Sequence, residues 1–420
     1  MDRLTEHSPP AVLLASMADF GAKSMLEGRD EFDLTKLLAP ISPAQFFGDY
    51  WEEKPLLVSR NDRDYYETLL SLAEIDPLIT VLPPNMIAPT NAARALDVAD
   101  YARADGSLDV VKLCQLFADG ATIVIDEAHK RLGKIAACCR GLEREFGAPF
   151  HCNLYLTPPN GKGFDTHYDT HDVLLLQLAG SKKWTIFDSP VRLPLAGQYF
   201  DPKLHAIGPT TMAFVLNAGD FLYIPRGFLH SAQSGDETSL HATLGAKPYR
   251  WADVMMETFA QLCLSDPAFR RALPVGLGRP DFDSGAARRV VDGLLSRAAE
   301  QARPDIALAR LVDGFVSSRS AFVPGQLVQV QLSKQLAPDD AVGARMDAIY
   351  RLYPEGDHIR LRSQGRETTL PAESAAALAF ALENRRYQVR DLPGNLDDED
   401  KVDLIRCLIN EGLVWKFPGV

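Results

Sequence analysis

Three residues carry chemistry by their type and spacing. In GFDTHYDTHDVLLLQLAGSKKW (163–184), His167 and Asp169 form an HxD pair, and the two-residue period of a strand puts both side chains on one face, able to share a metal ion. Taken alone, such a pair also fits two polar residues at a strand end. A second segment, NAGDFLYIPRGFLHSA (217–232), strengthens the metal reading: a Gly-Asp turn, a short apolar strand and Pro-x-Gly lead directly to His230. Two imidazoles and one carboxylate make the facial triad of non-haem Fe(II) oxygenases, with positions left open for a 2-oxo acid and O2. A closed structural zinc site would want four protein ligands, usually with cysteine among them.

If the oxo acid is 2-oxoglutarate, its distal carboxylate needs a cation. Lys182 follows His167 by fifteen residues, just past Gly180. A lysine buried there is costly without an anion; the alternative is a solvated hairpin pair with Lys183. On the preceding strand His151, Asn153 and Tyr155 share one face and Cys152, Leu154 and Leu156 the other. Polar atoms on the inner face of a barrel need partners, so the Tyr155 hydroxyl is expected on the cosubstrate carboxylate and Asn153 in the same pocket. In TSLHATLG (238–245) the inward set is Ser239, His241 and Thr243, which makes Ser239 and Thr243 further cosubstrate candidates. His171 is expected to face substrate or support the ligands rather than to bind the metal.

These residues need strands to hold them. Between His151 and Leu244 the segments HCNLYLT, DVLLLQLAG, KKWTIFD, TMAFVLNAG, DFLYIPRG and TSLHATLG alternate between turn residues, the pattern of an antiparallel barrel or jelly roll. Before them, FFGDYWEEKPLLVSR (46–60) reads as an aromatic helix running into a short strand, and helices with loops continue to about Phe146. After them, Trp251 to about Ser320 is helical, with Val290, Val291, Leu294, Leu295 and Ala298 on one face. The last part combines a strand HIRLR, helices near 374–383 and 398–410 and a strand LVWKF, a small unit like a winged helix.

Composition narrows the setting. The 420-residue chain is 46% hydrophobic and has a formal net charge of -12, which argues against a nonspecific nucleic-acid surface and leaves room for a basic protein partner. From Asp340 onward 14 acidic residues face 11 basic ones, so no duplex DNA binding is expected of the winged-helix-like unit. Six cysteines without CxxC spacing fit a reducing compartment. No run is long enough to span a bilayer, and the short apolar run 11–17 follows acidic residues, unlike a secretory signal. A cytoplasmic protein is the expectation.

The HxD pair, the lysine fifteen residues on and GDxLYxPxGxxH together resemble the JmjC-domain ribosomal oxygenases, also called cupin-4, and FFGDYWEEKPLLVSR is similar to the opening of that family. The resemblance implies an α+β chain: a tail or lead-in over 1–45, a double-stranded β-helix (jelly roll, cupin) catalytic domain over 46–250, a helical dimerisation region over 251–335 and a winged-helix-like domain over 336–420. It implies a homodimeric hydroxylase acting on an Arg or His side chain of a ribosomal protein, with Fe(II) on His167, Asp169 and His230, 2-oxoglutarate on Lys182 with Asn153 and Tyr155 in its pocket, and O2 as oxidant. The same barrel also serves hydroxylases of small peptides and natural products, and noncatalytic metal-binding cupins or winged-helix regulators.

Overall fold

Strands that alternate in sequence bury both faces here, each against a different layer. The structure, a computed structural model, describes residues 32–91, 96–321 and 323–417. It divides into two units. The first takes the described residues up to Lys247 together with Ala321–Ala348 and the described residues from Glu373 onward.

Up to residue 247 this unit runs through α1 (Leu34–Leu38), α2 (Pro43–Asp49), β1 (Leu56–Val58), α3 (Ile75–Val81), β2 (Ile87–Thr90), α4 (Val110–Ala118), β3 (Thr122–Ile125) and α5 (Gly133–Phe146). The strands β4 (Phe150–Thr157), β5 (Asp172–Ala179), β6 (Ser181–Phe187), β7 (Thr210–Asn217), β8 (Phe221–Ile224), β9 (His230–Ser234) and β10 (Ser239–Ala246) follow. Local chemistry starts the helices. Asp33 caps α1 by accepting from the Lys36 N–H at 2.8 Å, and Ser42 caps α2 by accepting from Gln45 N–H at 3.1 Å, with Pro43 in the first turn.

The antiparallel strands form a seven-stranded sheet in the order β1-β8-β5-β10-β4-β3-β2 and a three-stranded sheet in the order β7-β6-β9. One face of the large sheet presents Cys152, Leu154, Leu174, Leu176, Ala242 and Leu244 to a core shared with the helices, including Phe46, Cys139 and Leu142. From the other face Val173, Leu175, Leu222 and Ile224 pack against Trp184, Ile186 and Leu216 of the small sheet. The jelly roll expected from the alternation is thus present, and its inner face lies between the two sheets.

Three sequence expectations change. The core reaches back before residue 46, since Phe32, Leu34, Leu37 and Leu38 are buried in it; the run 11–17 lies outside the described residues. The stretch before Phe146 holds β2 and β3 as well as helices. The last change concerns the region after 250. The second unit comprises Pro248–Ser320 and Ile349–Ala372: helices α6 (Trp251–Ser265), α7 (Ser284–Gln301) and α8 (Pro304–Ser318) with an antiparallel meander of Tyr350–Glu355, His358–Ser363 and Arg366–Pro371.

The strand HIRLR therefore does not join the helices that follow it, because it pairs on both sides with meander strands. That register aligns Arg351 with Arg362, and both reach Asp313 of α8 at 3.2 Å and 3.4 Å. Helices Ala375–Glu383 and Asp398–Asn410 lie in the first unit, along with the three-stranded sheet of Ala341–Ala344, Tyr387–Gln388 and Val414–Lys416. A single unit over 336–420 is not what forms.

Candidate metal centre

His167 and Asp169 lie on the segment entering β5, while His230 opens β9. They meet because His167 and His230 pair main chain to main chain, the His167 N–H donating at 3.2 Å and the His230 N–H at 2.8 Å. Ligand atoms of His167, Asp169 and His230 all lie within 4.8 Å of one another, and His230 Nε2 is 3.6 Å from Asp169 Oδ2.

Neighbouring carbonyls select the histidine tautomers. His167 Nδ1 is 2.7 Å from the Asp165 carbonyl and His230 Nδ1 is 3.1 Å from that of Phe228. A carbonyl only accepts, so each Nδ1 carries the hydrogen and each Nε2 keeps its lone pair for a metal. Burial pushes the His230 imidazole down to about 4, reinforced by His167, which keeps that ligand unprotonated at neutral pH. Burial alone would raise the Asp169 carboxyl; the imidazoles of His230, His171 and His167 outweigh it and hold the group below its ordinary value. This donor set suits a divalent iron-type ion with positions left open.

The triad opens into a cavity of about 270 Å³ between the sheets, lined also by Tyr155, Lys182, Trp184, His241 and Thr243. Lys182 is buried, and no carboxylate of the described residues stands within ion-pair distance of it. Desolvation pushes its amine down to about 7. Lys183, next along β6, is exposed. The cavity therefore combines an open metal site with an uncompensated cation, which is the donor arrangement for a chelating anion with a second carboxylate.

Of the other candidates, Tyr155 and Thr243 line this cavity, whereas Asn153 and Ser239 do not. Asn153 Oδ1 accepts from the Glu127 N–H at 2.9 Å, and its side chain hydrogen-bonds Tyr155, so it orients the tyrosine. Ser239 Oγ accepts from Gln177 Nε2 at 2.8 Å, which fills the strand end with a side-chain pair. His171 lies outside the ligand cluster and packs its ring 5.0 Å from that of His151.

Residues 131–254 match the JmjC domain family. The mouse protein named ribosomal oxygenase 2 is 29% identical across 77% of this chain and 71% of its own. An Aedes aegypti protein named bifunctional lysine-specific demethylase and histidyl-hydroxylase NO66 is 26% identical across 93% of this chain and 68% of its own. The chain carries a JmjC domain and is similar to proteins named ribosomal oxygenases. The Escherichia coli ribosomal oxygenase YcfD shares the fold, with a TM-score of 0.52 at 14% identity over 90% of this chain and 98% of its own. YcfD has also been solved in complex with cobalt and 2-oxoglutarate, a structure that matches with a TM-score of 0.50 at 13% identity over the same shares of the two chains.

Two features of the site escape the motifs. His241 stacks on Tyr155 with ring centroids 4.7 Å apart and an interplanar angle of 5°, and lies edge-on to Trp184 at 6.0 Å. His241 Nδ1 and Trp184 Nε1 are buried without a hydrogen-bond partner. Inward alternation points to His241, but only the folded barrel shows that its ring supports the tyrosine.

The uncompensated Lys182 has a stability consequence. Its amine titrates near 7 in the folded protein and at its ordinary 10.5 when unfolded, so the unfolded chain holds more protons between those values and ligand-free stability rises with pH across that window. Below pH 7 the full penalty applies. Lys182→Met should stabilise the ligand-free protein by on the order of a few kcal/mol at pH 6.5 and abolish the rise; urea unfolding from pH 6.5 to 9 reads this, and parallel curves for both proteins would rule it out.

Proposed function

We propose that this chain is an Fe(II)- and 2-oxoglutarate-dependent oxygenase that hydroxylates an Arg or His side chain of a ribosomal protein, releasing succinate and CO2. The observation that carries the reading is the shared cavity: an open two-histidine, one-carboxylate site and an unpaired buried ammonium face the same space. Iron held there would supply oxygen activation coupled to decarboxylation of the oxo acid.

The chain's own residues do the rest. His167, Asp169 and His230 hold the metal, with the tautomers of the two histidines set in advance. Lys182 pairs with the distal carboxylate of 2-oxoglutarate, and the Tyr155 and Thr243 hydroxyls offer hydrogen bonds along the same wall. The apolar side chains of Val173, Leu175 and Trp184 line the cavity and exclude water from it. A ribosomal substrate is supported by the names of the relatives, and a basic segment of such a protein suits a chain of net charge -12. A histidine target draws further support from the histidyl-hydroxylase name of the mosquito relative. Among the described residues no helix is long and apolar enough to cross a membrane; six unpaired cysteines favour the cytoplasm.

We take the working form to be a homodimer joined through α6–α8. On α7, Val290, Val291 and Leu295 are 60%, 50% and 52% exposed, and Trp251 on α6 is 81% exposed. Apolar side chains left open in such numbers on neighbouring segments mark an association surface.

Three tests follow from this reading. Purified protein should convert 2-oxoglutarate to succinate and add one oxygen to a ribosomal protein seen by mass spectrometry, and His230→Ala should lose both, since two ligands do not hold the facial set; undiminished succinate production by that variant would remove the triad from the chemistry. For Lys182→Met, the Kd for 2-oxoglutarate should rise about 10- to 100-fold, the worth of one charge-assisted hydrogen bond. In the native protein that Kd should climb as pH rises above about 7, because the free amine must first take up a proton; a Kd unchanged from pH 6.5 to 8.5 would place the cation elsewhere. Light scattering should give a dimer mass at micromolar concentration and a monomer for Leu295→Asp, and a native monomer would end the dimer proposal.

A further inference from the structure

Behind the metal ligands lies a closed ring of hydrogen bonds that no feature of the cavity explains. Asp172, fully buried at the head of β5, accepts the Tyr223 hydroxyl at 2.9 Å on Oδ1 and Arg226 Nη1 at 2.7 Å on Oδ2. The same Arg226 nitrogen lies 2.5 Å from Glu52 Oε1. Glu52 then closes the ring, its main-chain N–H donating to the Tyr223 oxygen at 2.9 Å. One residue thus supplies both an acceptor and a donor to the network, and to do so it sits at φ 61°, in the left-handed region that a glutamate rarely occupies. A conformation of this kind persists only where its surroundings over-determine it, and such residues gather at functional sites.

What the ring touches gives it a role. The Arg226 main-chain N–H also donates to Asp172 Oδ1 at 3.3 Å, and the next residue, Gly227, donates its N–H to the Asp169 carbonyl at 3.0 Å. The turn 225–227 is therefore fastened to β5 by its arginine side chain, and it holds the main chain of one metal ligand while leading within three residues to another, His230. No member of the ring lines the cavity.

We propose that Glu52 is a positioning residue for the metal centre: through Arg226 and Asp172 it fixes the turn that sets Asp169 and His230 relative to each other. The segment WEEKP, whose Glu52 stands 178 residues before His230 and which has no ligand of its own, completes the metal site. This rests on the metal reading above and is independent of the identity of the substrate. Outer partners of metal ligands typically change metal affinity by about 10- to 100-fold when removed.

The test uses Co(II) as the probe with the full chain. Co(II) affinity and the intensity of its visible absorption bands are measured for the native protein, Glu52→Ala, Glu52→Gln and Glu53→Ala, with urea unfolding of each. Glu53 is the neighbouring control, an exposed residue paired on the surface with Arg192. Glu52→Ala should bind Co(II) about 10- to 100-fold more weakly, with altered band intensities, while still unfolding cooperatively; Glu52→Gln, which keeps an oxygen for Arg226, should recover most of the affinity, and Glu53→Ala should match the native protein. Native affinity and spectrum in Glu52→Ala would overturn the proposal, as would loss of cooperative unfolding in both Glu52 variants, which would make the ring a folding element only. Failure of the native protein itself to bind Co(II) would instead remove the metal reading, and this inference with it.

Discussion

The main-chain pairing of residue 167 with residue 230 is the contact on which the candidate metal site depends. His167 and Asp169 belong to the approach to the large sheet, His230 to the small one, and only this pairing brings their side chains to a common point. The same strand that carries His230 also fixes the cation. On β6 and β9, Ile186 stands opposite His230 and Lys182 opposite Ser234. Because strand side chains alternate, a slip of one residue in this pairing would turn metal ligand and lysine to opposite faces together. Register is what makes a single cavity of two otherwise separate features.

That cavity is expensive in the ligand-free molecule. A buried ammonium lacks a partner, two ring nitrogens of His241 and Trp184 lack partners, and Asp169 is kept ionised by imidazoles that are themselves poorly solvated. Groups left unsatisfied in this way cost stability in isolation and are relieved by a polar ligand that fits. The surrounding structure offsets the cost with apolar packing on the helix-side face of the large sheet, where residues such as Leu154, Leu174 and Leu244 are fully buried. The strong core and the unsatisfied site are therefore two sides of one division: each strand gives one face to stability and the other to binding.

This division explains what was legible in the sequence. Six strand segments and Lys182 follow from alternation, because each lies where a period of two is enforced by the core behind it, whereas His167 and Asp169 stand on the segment entering β5 and follow from the HxD spacing alone. β9 escaped because HSAQS has no apolar alternation, its inner face being His230 and the pocket wall. β2 escaped because it is the edge strand and contains Pro89, which reads as a break and is tolerated only where one side of the strand needs no partner. Alternation assigns Ser239 to the pocket, and alternation together with the family resemblance assigns Asn153. Both do leave the helix-side core, but each is taken by a nearby group, Gln177 and the Glu127 main chain. Period gives the face of a strand and not the depth along it.

The turns show a further dependence that residue chemistry does not announce. Gly180 ends the hairpin before Lys182 at φ 64°, and a Cβ there would stand 2.1 Å from the Thr238 carbonyl oxygen. Gly227 precedes His230 at φ 92°, and its Cβ would stand 2.3 Å from the Val191 carbonyl oxygen. Neither clash can be relieved by rotating a side chain, since the obstacle is main chain. Lys182 and His230 are thus held in place by residues that have no side chain: moving the backbone by the ångström or so needed to admit a methyl group would shift the proposed cation or metal ligand by a comparable distance, on a site whose candidate ligand atoms meet within 4.8 Å.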